Sequence, residues 1–174
     1  MSDRVGRDQP PAPRPTAAAR SGPPWSGGCQ CGAVRFRTRD LGRASLCHCR
    51  MCQKAFGGIG GLLVTAKDLE WTRGAPSHFQ SSDAIRRGFC RECGTPLTFE
   101  WDGGIDVAIA AFDHPGEVEP TIQLAAEFRI PWFDRLHQLP GPDVDERAAK
   151  AAHYASVVSR QHPDHDTDSW EPKR

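Results

Sequence analysis

Seven cysteines in three tight groups govern what this 174-residue chain can fold into. They read Cys29-x-Cys31, Cys47-x-Cys49-x₂-Cys52 and Cys90-x₂-Cys93. An odd count leaves one thiol over from any complete disulfide set. Ahead of them, Met1 to Pro24 carries Arg4, Arg7, Arg14 and Arg20 but no apolar core of secretory-signal type. The expectation is a reducing, cytoplasmic setting, where grouped thiols bind metal or do chemistry. Close pairs on two tight turns each supply two corners of a tetrahedron around Zn²⁺. The flanking residues suit such turns: Gly27 and Gly28 precede the first pair, Gly32 follows it, and Gly94 follows Cys93. Glycine there lets backbone amides approach the sulfurs with no side chain in the way.

The most economical division of the seven is four plus three. Cys29, Cys31, Cys90 and Cys93 make a closed four-thiolate site, which a structural zinc requires. Cys47, Cys49 and Cys52 then offer three ligands and an open fourth position, which a catalytic zinc requires. Spacing alone leaves other divisions open. Cys47 or Cys49 could join a pair, with His48 or His114 completing a second site. Two purely structural zincs, or an iron–sulfur cluster, also use such cysteines.

The 22 Lys+Arg balance 22 Asp+Glu, so no long-range field draws in nucleic acid. The longest apolar runs, such as Val107 to Phe112, are far short of the roughly 20 residues that span a bilayer. Three zones follow from composition. Residues 1–24 are a Pro/Arg-rich tail expected to be disordered. Residues 25–140 hold every cysteine and read as one mainly β domain of short antiparallel strands. Residues 141–174 form a polar extension with one helix and a disordered end. Period-two patterning places Val34, Phe36 and Thr38 on one face and Arg35 and Arg37 on the other. Leu97, Phe99 and Trp101, then Ile105, Val107, Ile109 and Ala111, flank Asp102-Gly103-Gly104 as a β-hairpin. Leu62-Leu63-Val64 is a further short strand. Asp143 caps the helix, with Glu146 three residues on and an apolar repeat through Val144, Ala148, Ala151, Ala155 and Val158.

Three blocks carry a resemblance: Gly27-Gly28-Cys29-Gln30-Cys31-Gly32-Ala33-Val34, Cys47-His48-Cys49-Arg50-Met51-Cys52, and Phe89-Cys90-Arg91-Glu92-Cys93-Gly94-Thr95-Pro96-Leu97. In this order the chain, from Trp25 to Pro140 with Pro131-Trp132-Phe133 near its end, resembles the glutathione-dependent formaldehyde-activating enzyme family, which includes the centromere protein V-type domain. The resemblance implies a β-tent, Mss4-like fold with two zinc ions per chain. It implies that Cys29, Cys31, Cys90 and Cys93 hold a structural zinc and Cys47, Cys49 and Cys52 a labile catalytic one. The implied activity is that of a carbon–sulfur lyase joining formaldehyde to glutathione as S-(hydroxymethyl)glutathione. The sequence departs from the family pattern at Gln123, where a histidine is common, and at Phe128, where a small polar residue is common.

Three thiolates on Zn²⁺ leave a net charge of about −1, which makes exchange of the fourth ligand for a thiol more natural than activation of water. Arg50 and Lys54 beside the triplet are candidates for holding substrate carboxylates, against the plainer reading of solvated loop cations. His48 is either a proton carrier or a supporting residue. The Gly57 to Gly61 loop is a pocket floor or a simple linker. Trp71, Trp101, Trp132, Phe99 and Phe112 are expected in the core, and His162, His165, Asp164 and Asp166 in the free polar end. The rival to an enzyme is a non-catalytic, zinc-stabilised β module that binds a partner.

Overall fold

The computed structural model describes residues 20–171. The tail expected to be disordered lies outside the described residues over 1–19, and its last five residues begin the first strand. The elements run β1 (Arg20–Gly28), β2 (Arg35–Cys47), α1 (Arg50–Phe56), β3 (Gly61–Ala66), β4 (Glu70–Arg73), β5 (Ser77–Gln80), β6 (Arg86–Phe89), β7 (Pro96–Trp101), β8 (Gly104–Ala108), β9 (Ile122–Leu124) and α2 (Val144–Ser156). The expectation of a mainly β, antiparallel architecture is met. One sheet has the order β1-β2-β3-β8-β7-β6-β5, with β4 and β9 also paired to β2.

β2 organises the sheet. At 13 residues a strand is about 40 Å long, enough to serve two halves of a domain. Its first half pairs with β1 and β4, and its last residues pair with β3 and, in parallel, with β9. The register shifts between Leu41 and Ala44, where β2 turns from one set of neighbours to the other. Val34, Phe36 and Thr38 are buried together as their period predicts. Phe36 is fully enclosed, with Trp71 and Phe112 edge-on at ring separations of 6.1 and 5.1 Å. Leu41, Val64, Leu97 and Val107 complete the centre.

The hairpin forms as read: β7 and β8 pair as far as Trp101 and Gly104, leaving Asp102-Gly103 as the turn. β8 ends earlier than alternation predicts. Ile109–Ala111 is a 3₁₀ turn that buries Ile109 and Ala111 and brings Phe112 against Gly27. A Cβ on Gly27 would meet the Ala111 carbonyl oxygen at 2.3 Å, so glycine is what permits this close approach. Trp101 and Trp132, expected in the core, are 36% and 46% exposed. The α2 helix starts at the expected cap, with Asp143 accepting from the Glu146 N–H, but none of its residues is buried and Val158 lies beyond its end.

Two polar expectations are corrected. Arg35, assigned by alternation to the outer face, is 3% exposed. It grips Asp113 through both Nη atoms at 2.7 Å, and its Nη2 also reaches Asp166 at 2.7 Å. The polar end expected to be free chain is the other surprise. Its segment from Gln161 to Trp170 folds back across the β1–β2 turn. His162 donates its N–H to the Gln30 carbonyl, Arg73 bonds the Thr167 carbonyl, and Trp170 Nε1 donates to the Cys31 carbonyl at 2.7 Å. Asp166 on the buried strand arginine ties this strap down, a contact between residues 131 apart in sequence that no local pattern reveals.

Burial pushes the Asp113 carboxyl up, but the hydrogen bonds and charge of Arg35, with the Ser26 hydroxyl, outweigh it and hold it below 3.8. Its stabilising contribution is therefore complete above about pH 4 and is lost as pH falls through the folded-state value. Asp113→Asn, which leaves Arg35 under-neutralised in the interior, is expected to cost about 3–5 kcal/mol in urea unfolding at pH 7. The deficit relative to the parent protein should narrow in acid.

Candidate metal centres

The first centre is built from two matching turns. Between β1 and β2, Cys29 N–H bonds the Val34 carbonyl and Gly32 N–H bonds the Cys29 carbonyl. Between β6 and β7, Cys90 N–H bonds the Thr95 carbonyl and Gly94 N–H bonds the Cys90 carbonyl. Gly32 and Gly94 sit at φ +73° and +77°, a left-handed conformation that glycine adopts without strain. The four sulfurs of Cys29, Cys31, Cys90 and Cys93 lie within 4.8 Å of one another. Corners of a tetrahedron about 2.3 Å from a zinc are about 3.8 Å apart. Cys29 to Cys31 measures 3.6 Å and Cys31 to Cys90 3.8 Å. A disulfide needs about 2.05 Å, and all seven cysteines are free. The donor set and its spacing fit Zn²⁺.

The thiols also show what a cation would relieve. Burial pushes Cys29 and Cys31 up, against backbone donors that pull down. Cys93 resists burial because the Thr95 hydroxyl, 3.1 Å away, and backbone amides favour its thiolate, which brings it to about 6. Metal binding replaces the protons that burial retains.

The second centre lies at the junction of β2 and α1. Cys47 ends β2, Cys49 caps α1 by accepting from the Cys52 N–H, and Cys52 stands in the first turn. Their sulfurs lie within 4.8 Å of one another, and among the described residues no fourth His, Cys, Asp or Glu joins the group. Neither His48 nor His114 completes it. Cys47 and Cys49 are half-buried while Cys52 is 1% exposed, so the site is reached from one side. Burial pushes Cys52 up to about 12, partly offset by Arg87. Cys49 is held below its ordinary value despite burial, by the Cys52 N–H, the neighbouring thiols and the Arg87 charge.

The surroundings reassign several residues. His48 is fully enclosed. Its Nε2 lies 2.8 Å from Oε1 of Gln123, its ring meets Phe133 edge-on at 5.0 Å, and its Nδ1 is buried without a partner among the described residues. Gln123, the position of the family departure, thus holds the loop between two ligands. Phe128 takes part through its carbonyl, which accepts from Gln53 Nε2 while the ring is 59% exposed. The same Gln53 amide nitrogen donates to the His48 carbonyl. Arg50 donates to Gln53 Oε1 at 3.1 Å, and exposed Lys54 lies one turn along α1. The glycine loop closes back against the end of β2 beside the triplet. Gly57 ends α1 at φ +62°, and a Cβ on Gly60 would sit 2.6 Å from the Cys47 carbonyl oxygen.

Sequence reasoning missed Arg87 and Gln53. Arg87 is 6% exposed and points Nη2 at Cys52 Sγ, 3.5 Å away. Its neighbour Arg86 is a 54% exposed partner of Glu100. Adjacent arginines on a short strand look alike, and only their opposite faces tell them apart. Gln53 stands one residue past Cys52, a spacing that hints at a role only once α1 is known to form.

Two outcomes follow. Cys52→Ser is expected to lower the zinc content by one atom per chain, by elemental analysis, while far-UV circular dichroism is retained; Cys90→Ser should lose the fold. Trp170→Ala, which removes the donor to Cys31 and the edge contact with His162 at 4.8 Å, should cost about 2 kcal/mol in urea unfolding.

A family model described as glutathione-dependent formaldehyde-activating enzyme matches residues 24–127, which hold all seven cysteines and stop short of Pro131-Trp132-Phe133. No curated protein matches the chain significantly. A crystal structure of a Rhodobacter sphaeroides protein is similar at a TM-score of 0.47 and 24% identity, covering 56% of this chain and 98% of that one. With the match extending over more than half its length, the chain belongs to the glutathione-dependent formaldehyde-activating enzyme family.

Proposed function

We propose that this protein is a zinc-dependent carbon–sulfur lyase that forms or cleaves the adduct of a thiol with a small aldehyde, with glutathione and formaldehyde as the substrates. The observation that carries this reading is the difference between the two clusters: four converging sulfurs in one, three in the other. When bound at the triplet, zinc supplies an open position at which an incoming thiol gives up its proton near neutral pH.

The chain's own residues supply the rest. Cys47, Cys49 and Cys52 hold the site at the end of a strand and the start of a helix, elements that fix their sulfurs. Gln53, through the His48 and Phe128 carbonyls, keeps the loop between the ligands closed. Arg50 and Lys54, both exposed on α1, are the proposed contacts for the two carboxylates of glutathione. In the forward direction the thiolate sulfur attacks the aldehyde carbon and a C–S bond forms. The carbonyl π pair moves to oxygen, which takes up one proton, so the thiol's hydrogen is recovered as the hydroxyl and no oxidant or reductant is involved. The reverse breaks the same bond.

The deciding experiment is zinc content with and without excess glutathione, followed by an assay of formaldehyde consumption. Loss or exchange of one of two zincs with the fold retained, together with adduct formation, supports the enzyme. Two zincs indifferent to thiol, and no adduct formation, would favour the partner-binding module. Arg50→Ala with Lys54→Ala is expected to raise the KM for glutathione by roughly tenfold, the sum of two exposed charged contacts of about 0.7 kcal/mol each, with kcat little changed.

A further inference from the structure

Arg87 is an unusual residue to find inside a small β domain. Its Nη2 donates toward Cys52 Sγ at 3.5 Å and its Nε to the Ser81 hydroxyl at 3.0 Å. The guanidinium carbon lies 5.0 Å from the Phe99 ring centroid and 5.8 Å from that of Phe56. Nη1 is buried and has no hydrogen-bond partner among the described residues. A hydroxyl and two aromatic faces hold the side chain, and the negative charge a buried cation requires comes from the triplet.

Three thiolates around a dication carry a net charge of about −1, which one guanidinium cancels. A further thiolate at the open corner would add a second negative charge beside Cys52. Nη1 belongs to the same rigid fork as the Nη2 that already reaches Cys52, and it is the donor left unused. The guanidinium lies against the Phe56 and Phe99 rings, and the cavity of about 190 Å³ that Arg87 also lines with Phe79 and Phe89 includes none of the triplet cysteines. Burial against the Phe56 and Phe99 rings weakens screening, so the fixed cation acts strongly on the adjacent Cys52.

We propose that Arg87 is the positioning residue that admits an ionised thiol to the triplet site: its Nη1 hydrogen-bonds the incoming sulfur, and its charge offsets the negative charge that sulfur brings. The site thereby selects thiolates over water and neutral ligands. Only the S–H bond breaks, its electron pair staying on sulfur and its proton passing to solvent. The inference rests on the thiol-binding reading above and names what selects the thiol, a role separate from the carboxylate contacts of Arg50 and Lys54.

The test is calorimetric titration of the zinc-loaded full chain, with zinc content checked before and after. Three probes separate the contributions: glutathione, 2-mercaptoethanol (a thiol without carboxylates) and S-methylglutathione (carboxylates without a thiol). Arg87→Gln is expected to weaken both thiols by roughly tenfold or more and to leave S-methylglutathione unchanged. Arg87→Lys, which keeps the charge, should stay within about threefold of the parent protein for 2-mercaptoethanol. Undiminished binding of 2-mercaptoethanol by the glutamine variant would overturn the proposal, as would a loss seen only with S-methylglutathione, which would make Arg87 a carboxylate contact. Should the glutamine variant fail to hold two zincs, the lysine variant decides alone, and a tenfold loss there overturns the charge role. If the parent protein binds neither thiol, the thiol-lyase reading itself fails.

Discussion

The convergence of Cys29 and Cys31 on Cys90 and Cys93 is the constraint on which the remaining structure depends. It joins two turns whose cysteines are 59 residues apart, and each turn is the end of a sheet hairpin. Closing so long a loop costs conformational entropy that grows only slowly with its length. Structural zinc sites contribute on the order of 10–16 kcal/mol in small peptides, which exceeds that cost comfortably. Once the β6–β7 turn is held, β6 is held with it, and Arg87 stands three residues before Cys90 on that strand. The closed cluster therefore positions the cation of the open one.

The two clusters differ in how their surroundings treat charge. In the closed cluster, backbone amides from tight turns and the Thr95 hydroxyl share the stabilisation of sulfur, and the strap through Trp170 covers the Cys31 carbonyl. In the triplet, the half-buried Cys47 and Cys49 leave one side approachable, and a buried guanidinium takes the place of a fourth sulfur's surroundings. A closed set with local donors suits permanence. An open set with a fixed cation and an unused donor suits exchange.

Legibility in the sequence followed the range of the interactions. The cysteine groups, the Asp102-Gly103 hairpin, the Asp143 cap and the buried face of Val34, Phe36 and Thr38 depend on spacings of a few residues and were readable. α1 was not, because a seven-residue helix spans barely two turns, too short to show a period. Arg35 and Arg87 sit on strands as charged residues with exposed charged neighbours, and alternation marks such positions as outward. Their burial depends on Asp113, Asp166 and Cys52, which arrive from distant segments, and on Phe99 of the neighbouring strand. The strap was missed for the same reason, since its composition is that of free chain and its partners lie from 89 to 139 residues away.

By itself, then, the sequence determined the chemistry available to this protein: seven thiols on glycine-flanked turns, divisible as four and three, in a domain of short strands. The tertiary structure decided which thiols meet, that the triplet gathers no fourth ligand among the described residues, and that an arginine stands at its edge. Thiol identity and turn geometry are local properties of the chain. The number of donors around a point, and the charge that faces them, are set only when segments 30 to 140 residues apart are brought together.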